Sequence, residues 1–185
     1  VMGGDHGCGV VIEGVRLALA ADSKISTLHL VGNQDQIHAA LSQAGLNDSR
    51  LNVVHASEVL TMEDKPVEGI RKKKDSSMVR AIDLVREDKA DAVISPGNTG
   101  ALVAGSMKLR RLDGVERPVI ACRFPSRKQD FVLLDGGANA VCEASHLAQF
   151  AVMGSIYARE ILSLDRPRVG VLSNGTEESK GNDLT

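Results

Sequence analysis

The sequence predicts an α/β chain with a mainly parallel sheet covered by helices on both sides. Three observations predict it. Helix-period stripes alternate with short β-rich runs, most of those runs are too uniformly apolar to have one wet face, and several of them exit into polar, glycine-rich turns. Taken in order, residues 10–21 place Val11, Val15 and Leu19 four apart, which is a helical stripe. Residues 26–31, STLHLV, read as a strand, and residues 34–44 return to helix with Ile37, Ala40, Leu41 and Ala44 on one face. NVVHA (52–56), DAVIS (91–95), VIAC (119–122), FVLLD (131–135) and VGVL (169–172) are the further β-rich runs. Helices are expected at 76–86, 99–111 and 145–162. The last of these presents Ala151, Gly154 and Ala158, which serve either intrachain packing or a dimer seam.

The bulk numbers narrow the class. A chain of 185 residues fits one domain or the larger part of a two-domain protein, and it is long enough for a sizeable core. With 43% hydrophobic and 25% charged residues, disorder is not expected. One Tyr and no Trp make a poor stacking surface for bases, and a formal charge of -2 gives no overall pull toward nucleic acid. Cys8, Cys122 and Cys142 lack CxxC or metal-finger spacing and suggest free thiols in a reducing cytoplasm. No apolar run approaches the roughly 20 residues that span a bilayer. The beginning VMGGDHG has a glycine turn without its preceding strand, and the end stops inside a polar loop. Residues 1–185 are therefore expected to be one α/β domain portion, truncated at both ends.

In an open parallel sheet, ligands bind outside the carboxyl ends of the strands, and this sequence puts its chemistry there. In SPGNTG (95–100), Pro96 and Gly97 turn the chain, Gly100 permits close approach, and the first amides of the following helix make an anion site with the helix dipole. Asn98 and Thr99 either cap that helix or reach a ligand oxygen. The spacing is neither GxGxxG nor GxxxxGK, so dinucleotide and P-loop readings are weak. In RKKKDSS (71–77), Arg71, Lys72, Lys73 and Lys74 precede a helix start at Ser76 or Ser77. The run is either a solvated face or a site for phosphate or an acidic partner. DGGAN (135–139) offers Asp135 and Asn139, as site residues or as a plain turn with an Asp cap. Lys180 and Asn182 lie in the polar loop TEESKGN, where a lysine is either functional or simply solvated. His29, His38, His55 and His146 are read as non-catalytic, whereas His6 lies at the ligand edge.

Read in order, MGGDHG, VGN, RKKKDSSM, SPGNTGAL, DGGAN, HLAQFAVMGSIYA and PRVGVLSNGTEESKGND resemble the bacterial phosphate:acyl-carrier-protein acyltransferases of phospholipid synthesis, the PlsX family. Each motif is weak; the ordered set is specific and extends over essentially the whole chain. It corresponds to the amino-terminal part of a family member, without a later glycine-rich motif and a membrane-associating helical region. The sequence departs from the family pattern at ACRFPSRKQDF (121–131), which is more basic, and at AVCEASHL (140–147).

The resemblance implies a three-layer α/β/α sandwich like that of isopropylmalate dehydrogenases and phosphotransacetylases, usually dimeric. It also implies transfer of a fatty acyl group from acyl-ACP to inorganic phosphate. The implied partners are acyl carrier protein, phosphate and a second copy, with no nucleic acid and no metal or other cofactor. The implied location is the cytoplasm, with peripheral membrane contact through parts absent here. By this resemblance Ser76, Ser77, Gly97, Asn98, Thr99, Gly100 and Asn139 bind phosphate, and Lys180 neutralises phosphate or the developing oxyanion. Asp135 and Asn182 position these groups, and His6 protonates the departing thiolate or, preferably, orders the first turn. The basic run 71–74, with Arg123, Arg127 and Lys128, is expected to contact the carrier protein. The alternatives are a non-catalytic carrier-binding scaffold and a phosphotransacetylase-like enzyme acting on acyl-CoA.

Overall fold

Helix α1 (Gly7–Ala21) buries Ile12 and Leu19, and Ile12 packs with Leu30 and Ile37 of the next two elements. The structure is a computed structural model that describes residues 1–109, 112–173, 175, 180–182 and 184. Strand β1 (Leu28–Gly32) pairs in parallel with β2 (Leu51–His55), Leu28 opposite Leu51 and Gly32 opposite His55. Between them runs α2 (Gln34–Gln43), whose start is set by Asn33: its side chain accepts the Gln36 amide at 3.1 Å. This β–α–β unit supplies the parallel sheet expected from the alternating pattern.

A second cluster lies in the same compact unit, Val1–Arg111. Helices α3 (Pro66–Lys72), α4 (Ser77–Arg86) and α5 (Thr99–Ser106) bury Ile70, Met78, Val79, Ile82 and Ala101 together with Leu60. Ile82 is fully buried, worth about 1.5–3 kcal/mol for the side chain alone. Gly105 lets α5 close on this cluster, since a Cβ there would run into Ile82 and lie 3.3 Å from Ile70 Cδ1. The helix expected over 99–111 ends at Ser106, and its last residues, Arg110 and Arg111, lie outside the described residues.

The second unit, Leu112–Thr185, holds strands β3 (Ala121–Phe124) and β4 (Phe131–Leu134) and helix α6 (Ala144–Leu162). These strands are antiparallel, with Phe124 opposite Phe131, where a parallel arrangement was expected. The connection 125–130 explains it, because a parallel crossover needs about a dozen residues or more. Helix α6 starts with a reciprocal cap: the Glu143 side chain takes the His146 amide while the Glu143 amide donates to His146 Nδ1 at 3.0 Å. His146 is buried, and its Nε2 lies 3.0 Å from Glu116 Oε2. Within the small stripe on α6, Gly154 packs inside the chain, since a Cβ there would collide with Leu134 of β4.

Two expected strands do not form among the described residues. Residues 91–95 and 169–172 have no ladder partner, and Ile94 and Leu172 are 92% and 80% exposed. A β-rich run becomes a strand only where a neighbouring backbone completes its hydrogen bonds.

Candidate functional site

In the first unit three loops meet. Gly4 and Gly97 are the contact points: a Cβ on Gly4 would lie 3.3 Å from Pro96 Cγ, and one on Gly97 would lie 3.4 Å from the Gly3 carbonyl oxygen. Gly3 itself has φ of 90° and sits against the Leu60 carbonyl. The turns GGDHG and SPGNTG thus converge, with the loop around Leu60 beside them. His6 is exposed, at the start of α1, and its side chain makes no capping bond.

Asn98 is buried and fully engaged. Its Oδ1 accepts the Ala101 amide at 2.9 Å, and its Nδ2 donates to the carbonyls of Thr61, Met62 and Asp64 at 3.2, 3.4 and 3.1 Å. Of the two roles open to it from sequence, the structure places it in capping, with an added clasp on loop 61–64. The Gly97 amide is taken by Ser95 Oγ at 3.2 Å. Thr99 and Gly100 are exposed, and their amides precede the helix's first internal acceptor. They are the groups this turn presents to an anion. Gly100 has a packing reason as well, because a Cβ would approach Pro66 Cγ to 2.7 Å.

Ser76 and Ser77 begin α4, both buried. The Ser77 amide donates to the Glu58 carbonyl at 3.1 Å, while the Ser76 hydroxyl is buried without a hydrogen-bond partner. Leaving such a group unsatisfied costs about 1–3 kcal/mol. Beside Ser77 and Ser95 lies a cavity of about 20 Å³, also lined by Leu60, Met78 and Val93. That is room for about one water.

The basic run is divided. Lys72 pairs with Glu68 at 3.3 Å, and Lys73 pairs with Asp64 at 2.6 Å and donates to the Val59 carbonyl at 2.9 Å. Arg71 and Lys74 are exposed. Sequence reasoning missed what answers these cations. The Asp64 carboxyl is held below its ordinary range, chiefly by the bond from Lys73 and then by the Thr61 amide. Asp75 is held well below the usual carboxylate range by the Ser57 hydroxyl and amide and by Arg80. The signal for both was present as Asp residues spaced to close turns before a helix start.

In the second unit the DGGAN loop closes on itself. Asp135 Oδ1 accepts the Ala138 amide at 3.0 Å and the Ile120 amide at 3.5 Å, and Oδ2 accepts the Asn139 amide at 2.8 Å. Asn139 Nδ2 donates to the Pro118 carbonyl at 2.9 Å. Lys180 is exposed in a bend, and Asn182 Oδ1 accepts the Leu184 amide at 2.9 Å. Glu177, Glu178 and Ser179 of that loop lie outside the described residues. Cys8, Cys122 and Cys142 are free. Among the described residues there is no cluster of three His, Cys, Asp or Glu able to hold a metal, and no helix long and apolar enough to cross a membrane.

A family model described as fatty acid synthesis protein matches residues 1–185. The phosphate acyltransferase of Syntrophotalea carbinolica is 49% identical over 184 residues, covering 99% of this chain and 52% of that protein. The phosphate acyltransferase of Geotalea daltonii is 45% identical over 185 residues, covering 100% and 53%, and that of Desulforamulus reducens is 49% identical over 187 residues, covering 100% and 55%. The chain spans about half the length of these curated relatives.

Proposed function

The chain belongs to the family of fatty acid synthesis proteins, and from that membership we propose that it forms part of a phosphate acyltransferase that moves a fatty acyl group from acyl carrier protein to inorganic phosphate. The observation that carries this reading is the identity of 45–49%, over the full chain, with relatives named phosphate acyltransferase. The exposed amides at the start of α5, in a turn that meets the GGDHG turn, suit an anionic substrate.

The chemistry asks little of side chains. A phosphate oxygen attacks the thioester carbonyl carbon and forms a C–O bond. The tetrahedral oxyanion collapses, the C–S bond breaks, and the thiolate leaves and takes up a proton. Phosphate is itself the nucleophile, so positioning and charge stabilisation dominate and no cofactor is called for. Thr99 and Gly100 offer amides to phosphate, with Gly97, Ser76 and Ser77 shaping the turn beside them. Asn98 holds that turn to loop 61–64. Asp135, Asn139 and Asn182 act as positioning residues in their own loops, His6 orders the first turn, and Lys180 supplies a mobile positive charge. Arg71 and Lys74 are what the basic run 71–74 still presents to an acidic partner. In the protein of full family length the sheet grows into a three-layer α/β/α sandwich, the enzyme works as a dimer in the cytoplasm, and its membrane contact is peripheral.

The test is direct. A protein of family length carrying this sequence, given acyl-ACP and labelled phosphate, should form acyl phosphate and release the carrier thiol in equal amounts. Lys180→Ala should keep the fold and lose about a hundredfold in turnover, the usual effect of deleting one electrostatic partner of the transition state. Absence of acyl phosphate from any acyl thioester would overturn the reading.

A further inference from the structure

The β3–β4 hairpin carries a feature that phosphate chemistry does not use. Phe124 and Phe131 are cross-strand partners whose rings stack with centroids 5.6 Å apart, inclined by 18°. They are nevertheless 43% and 49% exposed. Alternation along the strand explains the exposure. Leu134 meets Gly154 of α6, and Phe131, three residues earlier, belongs to the opposite face of β4. Directly paired residues share a face, so Phe124 lies there too. Strand β4 of the hairpin packs on α6 with one face and bears half of the stacked aromatic pair on the other.

The tip beyond the plate is cationic. Ser126 Oγ donates to the Gln129 carbonyl at 2.6 Å and closes a turn whose middle residues, Arg127 and Lys128, are exposed. Arg123 and Asp130 answer each other at 2.6 Å, which leaves Arg127 and Lys128 as the net charge of the hairpin. An exposed apolar anchor rimmed by cations fits an acidic protein surface, the anchor giving contact area and the rim steering the encounter. A bilayer fits less well. The polar tip, 125–130, stands ahead of the rings and would have to lose its water before they reached the acyl region.

We propose that this hairpin face is the docking surface for the acidic carrier protein that delivers the acyl group. The proposal rests on the acyltransferase reading above and adds where the partner sits. Each basic segment keeps two exposed cations, Arg71 and Lys74 in one and Arg127 and Lys128 in the other, and the hairpin alone sets them beside an exposed, stacked aromatic pair.

The experiment uses the protein of family length and two substrates: acyl-ACP, and the same acyl group on a small pantetheine-type thiol. Arg127→Glu with Lys128→Glu, at an exposed tip that should not disturb folding, is expected to raise KM for acyl-ACP about tenfold at low salt and to flatten its salt dependence. Its kcat and its KM for the small thioester should stay within about twofold, since the chemistry is untouched. Phe124→Gln should weaken carrier binding in the same selective way. Direct titration of acyl carrier protein onto wild type and variants separates the two readings. If no substrate yields acyl phosphate, the acyltransferase reading fails, and loss of carrier binding in the variant still supports the docking site. Unchanged carrier binding, equal KM changes for both substrates, or loss of binding to phosphatidylglycerol vesicles in place of carrier binding would overturn the docking proposal.

Discussion

In the turn at 95–100 the polar side chain caps one amide of the helix and spends its donors on another loop, and in the turn at 135–139 it folds back onto its own amides. Asn98 takes one amide, that of Ala101, and gives its two donor hydrogens to carbonyls of loop 61–64. Asp135 takes the amides of Ala138 and Asn139 with a full negative charge. Both stretches read alike in sequence, as glycine-rich exits with an Asn or Asp. The difference teaches that such a loop is an anion site only where its own side chain leaves amides unanswered; the second loop is already filled by an internal anion.

The largest expected effect tests the clasp. Asn98→Ala strands the Ala101 amide and three carbonyls, and should cost about 3 kcal/mol, the sum of a lost cap and an unsatisfied buried group. For a chain of this size that is roughly 6–12 °C in Tm. Asn98→Asp should cost at least as much, although Asp caps helices as well as Asn, because it turns a carboxylate toward the carbonyls of Thr61, Met62 and Asp64. Thermal melts decide it: an Asn98→Asp variant as stable as wild type would mean that capping alone explains the residue.

A somewhat smaller effect tests the internal anion. Asp135→Ala should lose about 2 kcal/mol and recover part of it when phosphate is added, because the amides of Ala138 and Asn139 then donate to an outside anion. In wild type, phosphate should shift the amide resonances of Thr99 and Gly100 and leave those of Ala138 and Asn139 still. A phosphate response at Ala138 in wild type would erase the distinction. Smaller again, Gly100→Ala should cost about 1–2 kcal/mol by pushing a methyl onto Pro66, and phosphate should not restore it. Full recovery with phosphate would show that close approach of a ligand, and not packing, sets that glycine.

The helices were legible because their stripes are local: Leu19, Ile37, and Met78 with Ile82 are buried as the 3.6-residue period requires, although in the first helix the stripe read through Val11 and Val15 is only partly buried and Ile12 beside it is the residue that enters the core. Helix α3 was missed although Pro66 at its first turn, Glu68 and the final Arg71 and Lys72 are a recognisable start and stop. Strand pairing was less legible, being a property of two segments. The short connection 125–130 could have announced the antiparallel hairpin, but nothing inside VGVL says whether a neighbour will pair with it. For the site, the loops could be named from their glycines. What each side chain does there could not, because Asn98 finds its partners 34 to 37 residues earlier, at 61–64, and Lys73 reaches Asp64 across the whole of α3, both set by packing.

The smallest expected effect is the acid side of stability, and it bears on the loop that Asn98 grips. Asp64 accepts from the Thr61 amide and from Lys73, and its carboxyl titrates below the ordinary value of 3.8 in consequence. Asp75 is lowered further by Ser57 and Arg80, and Asp48 is drawn down to about 2 by Arg50. A carboxylate whose folded value lies below its unfolded one binds fewer protons when folded. Its contribution is therefore complete above the unfolded value and is lost as pH falls through the folded one. Tm should be nearly level from about pH 7 to pH 5 and should decline below about pH 4, over a range that for Asp48 extends to about 2. These groups are solvent-facing, so the slope should be shallow and should weaken with added salt. Asp64→Asn removes one titrating group from the clasped loop, and its melting temperature should fall less steeply between about pH 4 and pH 2.5 than that of wild type. An equal slope in the two proteins would take Asp64 out of the account and leave the grip on loop 61–64 to Asn98 alone.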